Sequence, residues 1–152
     1  MRGITITTIA VNKNEIACDL QATHQSGFKF RVKSKVFRFE NPLFYPKPFY
    51  VGYAGDLDQV AELLPYLENT DIAAKRPKVK SVEFVVLTED KKIYTFIDPH
   101  KWILVDEPYY AIGSGMCFAM GAFKMGATPK EAVQAASKCD PNSGLGVKVF
   151  SF

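Results

Sequence analysis

Thr7 and Thr8 stand at the head of an alternating apolar run, "TTIAV", near the beginning of the sequence. A threonine hydroxyl can attack a carbonyl carbon when an adjacent base takes its proton and a nearby cation activates it. Threonine is equally a common strand residue, because its branched side chain suits a pleated surface. The pair therefore has two interpretations, strand residue or nucleophile, and the elements around it must decide between them.

The first half of the chain predicts strands and one helix around this pair. Residues 4–23 read as two β-branched runs joined by Asn12-Lys13-Asn14, which is a turn composition and indicates a hairpin. Residues 28–39, "FKFRVKSKVFRF", alternate apolar and polar side chains, mostly basic, and predict one half-buried strand. A short strand "FYVGYAG" follows, and a helix runs from Gly55-Asp56 to about Asn69, with Pro65 implying a kink or an early end.

The second half predicts strands, two helices and a closing strand. "SVEFVVLT" and "KIYTFI" form an antiparallel hairpin, and "WILVDEPYYAIGSG" carries a short strand into a glycine turn. Met116 to about Gly126 is a helix that is apolar nearly all round, so it is expected to be buried. Thr128-Pro129-Lys130-Glu131 is a capping box that opens a second helix to about Cys139. "GVKVFSF" closes the chain as a strand.

This order of elements favours two stacked antiparallel sheets flanked by helices. At 152 residues, with 47% hydrophobic and 23% charged residues, the chain fits a single domain over residues 1–152. Residues 70–80 are basic and irregular and predict a surface connection.

Composition excludes several classes of protein. The sequence contains neither an apolar run long enough for a membrane span nor a signal-peptide core, so a cytoplasmic location without membrane contact is expected. Cys18, Cys117 and Cys139 match no disulfide or metal spacing, and no cofactor motif is present. The net charge of +3 comes mainly from 29–38, which is more typical of a solvated strand face than of a nucleic-acid site.

Six stretches in the same order, "TTIAV", "DLQAT", "SKV", "VGYAGDLDQ", "AIGSGMCFAMGA" and "DPNSG", resemble the β-subunits of proteasomes and their bacterial relative HslV. These proteins are N-terminal-nucleophile hydrolases. The resemblance implies an α+β fold, a four-layer αββα sandwich of two stacked antiparallel sheets flanked by helices. The first helical layer is reduced here, because the second of its two helices is replaced by residues 70–80.

The resemblance also implies a catalytic set. Thr7 matches the nucleophile, whose own α-amino group or a linked water takes the hydroxyl proton. Lys35 would lower the pKa of the nucleophilic group, and Asp19 would hold that lysine charged and oriented. Gly52 matches the glycine whose backbone N–H polarises the substrate carbonyl oxygen. The supporting polar group that positions the threonine amine matches Ser114, Asp140 and Ser143.

Substrate-binding positions follow from the same resemblance. The backbones of Thr23, Gly52 and Ala54 would pair with an extended peptide. Specificity-pocket positions match Ala22, Lys33, Phe37 and Tyr50. Thr5 would face the same side of the strand as Thr7 and is a reserve nucleophile.

The implied function is a threonine peptidase that cleaves peptide bonds in an unfolded protein or peptide. It would work in a homo-oligomeric ring, with an ATP-dependent unfoldase as a possible partner. Activity would require removal of the six residues before Thr7, because a threonine joined to Ile6 has no basic amine. Ile6 stands where self-cleaving relatives usually have glycine, so a non-catalytic scaffold, assembly or inhibitory subunit is the alternative.

Overall fold

The computed structural model of the chain describes residues 3–5, 7–40, 45–68, 81–98 and 101–152. The helices are α1 (Leu57–Glu68), α2 (Met116–Lys124) and α3 (Pro129–Cys139). The strands are β1 (Gly3–Thr5), β2 (Thr8–Asn12), β3 (Glu15–Asp19), β4 (Gln21–His24), β5 (Lys29–Arg31), β6 (Val36–Phe39), β7 (Phe49–Asp56), β8 (Val82–Thr88), β9 (Ile93–Phe96), β10 (Ile103–Leu104), β11 (Tyr109–Gly113) and β12 (Val147–Ser151).

The strands form two antiparallel sheets. The large sheet has the order β10-β9-β8-β7-β1-β4-β5, with β6 also paired to β7, and the small sheet has the order β11-β2-β3-β12. β6 and β1 therefore lie along one edge of β7, and β8 lies along the other. The site described below lies where the β6–β1 edge meets the small sheet.

The two sheets are stacked and covered by helices on both sides. Side chains such as Ile9 and Ile16 of the small sheet pack against Val85 and Leu87 of the large sheet. The outer face of the large sheet packs on α1. The outer face of the small sheet carries alanines such as Ala10, and these let α2 and α3 approach closely. The predicted α+β four-layer sandwich is confirmed.

Local turn and capping signals are also confirmed. The Asn12 side chain accepts hydrogen bonds from the backbone N–H groups of Asn14 and Glu15, each at 2.8 Å, which closes the β2–β3 hairpin. Thr128 and Glu131 form the reciprocal capping box that opens α3. Among the described residues, no helix is both long enough and apolar enough to cross a bilayer.

The prediction of one strand over residues 28–39 is wrong. The chain forms β5 and β6, and residues 32–35 between them leave the ladder. The Ser34 hydroxyl bonds the backbone of Val36 twice, donating to its carbonyl at 2.8 Å and accepting from its N–H at 3.1 Å. Such local side-chain bonds compete with strand pairing. The break lets Lys35 become fully buried instead of facing solvent.

The prediction that the helix from Met116 is buried on nearly all sides is wrong. α2 is not buried all round, since Phe118 is 44% exposed and Met125, which caps its C-terminal end, is 89% exposed. Only one face of α2 packs on α3 and the small sheet, so its apolar composition did not predict its burial correctly. α1, by contrast, ends at Glu68 with Pro65 inside it, close to the predicted end near residue 69. The predicted surface connection at 70–80 and the residue before Thr7 lie outside the described residues.

Candidate active site

Thr7, Asp19 and Lys35 converge in one buried cluster. Lys35 Nζ lies 2.8 Å from Asp19 Oδ1. The Thr7 hydroxyl is hydrogen-bonded to both, donating to Asp19 Oδ1 and accepting from Lys35 Nζ. None of the three side chains is exposed to solvent. A hydroxyl held between an ammonium and a carboxylate is the arrangement that an activated nucleophile needs.

Two elements bring these groups together. Ile9 pairs with Cys18 in the β2–β3 hairpin, so Thr8 and Asp19 come next at this end of the small sheet, with Thr7 one residue beyond Thr8. Lys35 arrives from the large sheet, just before β6. Its ammonium also donates to the backbone carbonyl of Gln21. The cluster therefore joins the two sheets.

Asp19 is fully satisfied as a buried carboxylate. Besides Lys35 and Thr7, it accepts backbone N–H groups from Thr8 at 3.1 Å, Gln21 at 3.3 Å and Gly144 at 2.9 Å. Buried charges are tolerated when they are paired and hydrogen-bonded on all sides. These bonds orient the carboxylate toward Lys35.

Burial lowers the pKa of Lys35 from its ordinary value, and the negative charge of Asp19 opposes this effect. A lowered pKa makes the ammonium a better proton donor near neutral pH. Burial also raises the pKa of the neighbouring Cys18 thiol, which favours its protonated form near neutral pH.

The lowered Lys35 pKa predicts a pH-dependent stability. Between the folded-state pKa and the ordinary value of 10.5, Lys35 is protonated more fully in the unfolded chain than in the folded chain. The free energy of unfolding should therefore rise as pH increases through this window. Lys35→Met should lack this rise, and leaving the buried Asp19 carboxylate without its cationic partner should also lower stability by about 3–5 kcal/mol.

Urea unfolding over a series of neutral to alkaline pH values measures this dependence. Lys33→Met, which removes an exposed lysine two residues earlier, is the matched control and should keep the pH dependence. Equal pH slopes in both variants would contradict the assignment.

A second polar cluster supports the backbone of Thr7 and Thr8. Ser114 Oγ donates to Asp140 Oδ2 at 2.5 Å, and Ser143 Oγ donates to the same oxygen at 2.8 Å. Ser143 Oγ also lies 2.8 Å from Thr8 Oγ1. Ser114 Oγ reaches the Thr7 carbonyl oxygen at 3.4 Å. The three supporting residues identified in the sequence are thus joined through Asp140, with Ser114 contacting Thr7 and Ser143 contacting Thr8.

The turn 113–115 wraps around the Thr7 carbonyl. Gly113 has φ of +96°, and a Cβ there would lie 1.9 Å from the Thr7 carbonyl oxygen. Gly115 donates its N–H to the same oxygen at 3.4 Å. Both glycines are required by conformation or by close approach.

The segment before Thr7 occupies a strand position beside this cluster. β1 pairs with β4 on one side, where Ile4 is opposite Thr23. It pairs with β7 on the other side, where Thr5 is opposite Gly55. Both pairings are antiparallel, so an extended segment of the chain itself completes the large sheet.

The structure does not support Gly52 as the donor to a substrate carbonyl oxygen. The Tyr53 N–H donates to the Lys35 carbonyl at 3.2 Å and so points to the β6–β1 edge of β7. Successive N–H groups of a strand point to opposite edges, so the Gly52 N–H points toward β8. Gly52 instead permits close packing, since a Cβ there would lie 2.8 Å from Ile9 Cγ2.

Two of the predicted specificity residues, Phe37 and Tyr50, lie on opposite faces of the large sheet. Phe37 stacks on Tyr53, 5.9 Å between ring centroids, on the face of the large sheet that packs on α1. Tyr50 and Ala54 face the small sheet, and the Tyr50 hydroxyl donates to the Ser151 carbonyl at 3.0 Å. Ala22 is fully buried.

Gln21 was not identified as a site residue from the sequence. It is 4% exposed, and its backbone bonds both Asp19 and Lys35. Its side-chain amide donates to the Pro141 carbonyl at 2.9 Å, linking β4 to the loop that holds Asp140. Its place in the stretch "DLQAT", between Asp19 and Thr23, was the signal that the sequence offered.

Comparison with known proteins gives matches in structure alone. No protein-family model and no curated protein matches the sequence. BPH from Thiobacillus denitrificans, in complex with epoxomicin, is 18% identical, with a TM-score of 0.69 over 96% of this chain and 97% of that chain.

Two further solved structures are also similar to this chain. HslV from Trypanosoma brucei is 18% identical, with a TM-score of 0.59 over 95% of this chain and 99% of that one. Anbu from Pseudomonas aeruginosa, described as a helical assembly, is 13% identical, with a TM-score of 0.69 over 95% of this chain and 80% of that one. The chain therefore has the HslV/proteasome-like N-terminal-nucleophile hydrolase fold.

Proposed function

We propose that this chain is a threonine peptidase of the HslV/proteasome type, with Thr7 as its nucleophile. The observation that carries the proposal is the buried contact of the Thr7 hydroxyl with Lys35 and Asp19. Keeping a lysine and an aspartate fully out of water is costly, and a reaction at their shared hydroxyl gives a reason for it.

The proposed chemistry begins when Thr7 becomes the amino terminus. The freed α-amino group takes the Thr7 hydroxyl proton while Oγ1 attacks the scissile carbonyl carbon, and Lys35 stabilises the developing negative charge. Collapse of the tetrahedral intermediate breaks the C–N bond of the substrate. The leaving amine takes the proton that the α-amino group had accepted, and an ester remains on Thr7. Water then attacks the ester, releasing a carboxylic acid and restoring the hydroxyl.

The proposed substrate is an extended polypeptide. The slot between β4 and β7 accepts a strand antiparallel to both of its neighbours, as β1 demonstrates with backbone pairing at Thr23 and Gly55. Backbone hydrogen bonds of this kind bind peptides with little regard to sequence. Removal of β1 would leave the slot for a substrate strand.

Assembly into a homo-oligomer is part of the proposal. The structural similarity to HslV and to Anbu, the latter described as a helical assembly, supports it. An ATP-dependent unfoldase as partner and a cytoplasmic location stay predictions.

Covalent labelling tests the proposed function. The chain is prepared so that it begins at Thr7 and is incubated with an epoxyketone such as epoxomicin, the compound bound to the similar BPH structure. We expect a stoichiometric mass increase that fragmentation locates to Thr7. An assembled, folded chain that acquires no adduct would count against a nucleophilic Thr7.

One observation favours a second candidate, a non-catalytic subunit. With the preceding segment in place, Thr7 is fully buried and β1 fills the proposed substrate slot. A chain that keeps this segment would have neither a free amine nor an open slot. It would then serve as a scaffold or an inhibitory partner in an assembly.

A further inference from the structure

Glu83 is the one acidic side chain of β8 and lies outside the catalytic set considered so far. It is half-buried, and its Oε1 accepts the backbone N–H of Gly113 at 3.1 Å. We infer that Glu83 is a positioning residue that anchors the turn 113–115 against the Thr7 carbonyl.

The anchored turn has little freedom of its own. Gly113 lies in the left-handed region, and the turn touches the Thr7 carbonyl through Gly115 N–H and through Ser114 Oγ. Ser114 is also tied to Asp140. Loss of the hydrogen bond between Glu83 and Gly113 would loosen the Gly113 end of the turn. The contacts of Gly115 N–H and Ser114 Oγ with the Thr7 carbonyl would then lose their alignment.

Glu83 also connects the two sheets at the site. It lies on β8 in register with Ala54, one residue from the Gly55 that pairs with β1. Gly113 lies on β11 of the small sheet, in register with Thr8. The bond between them therefore links β8, the neighbour of β7, to the end of β11 that lies beside Thr8. A charged acceptor makes this a stronger tie than a neutral one.

Two substitutions of Glu83 distinguish the effect of losing the hydrogen bond from the effect of changing the size of the side chain. Glu83→Gln keeps a carbonyl oxygen that can accept the Gly113 N–H, whereas Glu83→Met keeps the length and removes the acceptor. Glu62→Ala, which removes an exposed carboxylate on α1, is the control. Amide hydrogen exchange at Gly113 should rise about tenfold or more in Glu83→Met and stay near the original rate in Glu83→Gln.

A measurement on the unmutated chain guards against a variant that does not fold. In an NMR titration, the Gly113 amide resonance should move together with the side-chain carboxyl resonance of Glu83. Independent movement of the two resonances, or unchanged exchange at Gly113 in a folded Glu83→Met, would overturn the anchor.

The catalytic consequence rests on the proposed function. In the chain that begins at Thr7, Glu83→Met should lower kcat about tenfold with KM unchanged, and Glu83→Gln should restore it, because only the alignment of reacting groups is disturbed. An unchanged kcat, or a loss confined to KM, would overturn the positioning role. If the unmutated chain itself shows no turnover, the proposed function fails, and the exchange measurement alone decides whether Glu83 anchors the turn.

Discussion

Thr7→Ala should abolish peptide hydrolysis in the chain that begins at residue 7, with a loss of kcat of about 10³-fold or more. The variant lacks the hydroxyl that attacks the carbonyl, while Lys35 and Asp19 keep their 2.8 Å contact. The fold should therefore persist, with a cost of about 1.5–3 kcal/mol for a lost hydrogen bond to a charged group. Peptide-release kinetics and circular dichroism measure the two effects.

Two further threonine variants make this result specific. Thr7→Ser keeps a hydroxyl and should retain measurable turnover. Thr8→Ala, in a chain that still begins at Thr7, removes a hydroxyl 2.8 Å from Ser143 but not the attacking one, so it should lose less activity than Thr7→Ala. Equal turnover in Thr7→Ala and the unmutated chain would assign the nucleophile elsewhere. Thr5, the reserve candidate, would be tested in the same way in a chain that begins at Thr5.

Removing the residues before Thr7 should switch the chain from inactive to active. While the preceding peptide bond is intact, the Thr7 nitrogen is an amide and cannot take a proton, and β1 occupies the slot between β4 and β7. Loss of a general base alone costs about 10²–10⁴-fold in rate. We expect the unshortened chain to show no turnover above background, and intact-mass spectrometry confirms which form is assayed.

A chain with a single alanine before Thr7 separates the two causes. It lacks β1, so the slot is open, but its Thr7 nitrogen is still an amide. We expect it to bind substrate peptides and to hydrolyse them as slowly as the unshortened chain. High activity of the unshortened chain, with its mass unchanged, would contradict the need for a free amine. Folded but inactive chains in all forms would favour the non-catalytic subunit.

Local signals predicted much of the fold correctly. The Asn12 turn and the Thr128 capping box depend on side chains that bond the backbone within a few residues, so their outcome is contained in short stretches. The order of strands and helices, and from it the stacked sheets, followed from periodicity. The resemblance grouped Thr7, Asp19 and Lys35, and the structure brings these three side chains together.

Failures occurred where distant contacts decide the outcome. The alternation that predicted one strand over residues 28–39 treated Lys35 like its exposed neighbours, yet Lys35 is wholly buried. Its burial depends on partners 28 and 16 residues away, Thr7 and Asp19. Gly52 was assigned a donor role from its motif, whereas the strand register turns its N–H toward β8.

The sequence by itself determined which segments are strands and helices, and which residue types lie near the ends of the first hairpin, because these depend on local backbone preference and side-chain period. Only the tertiary structure decided that Lys35 is fully buried against Thr7, that β1 lies between β4 and β7, and that Glu83 accepts the Gly113 N–H. Each of these depends on how two sheets pack and align, and that alignment is set by contacts among residues far apart in the chain.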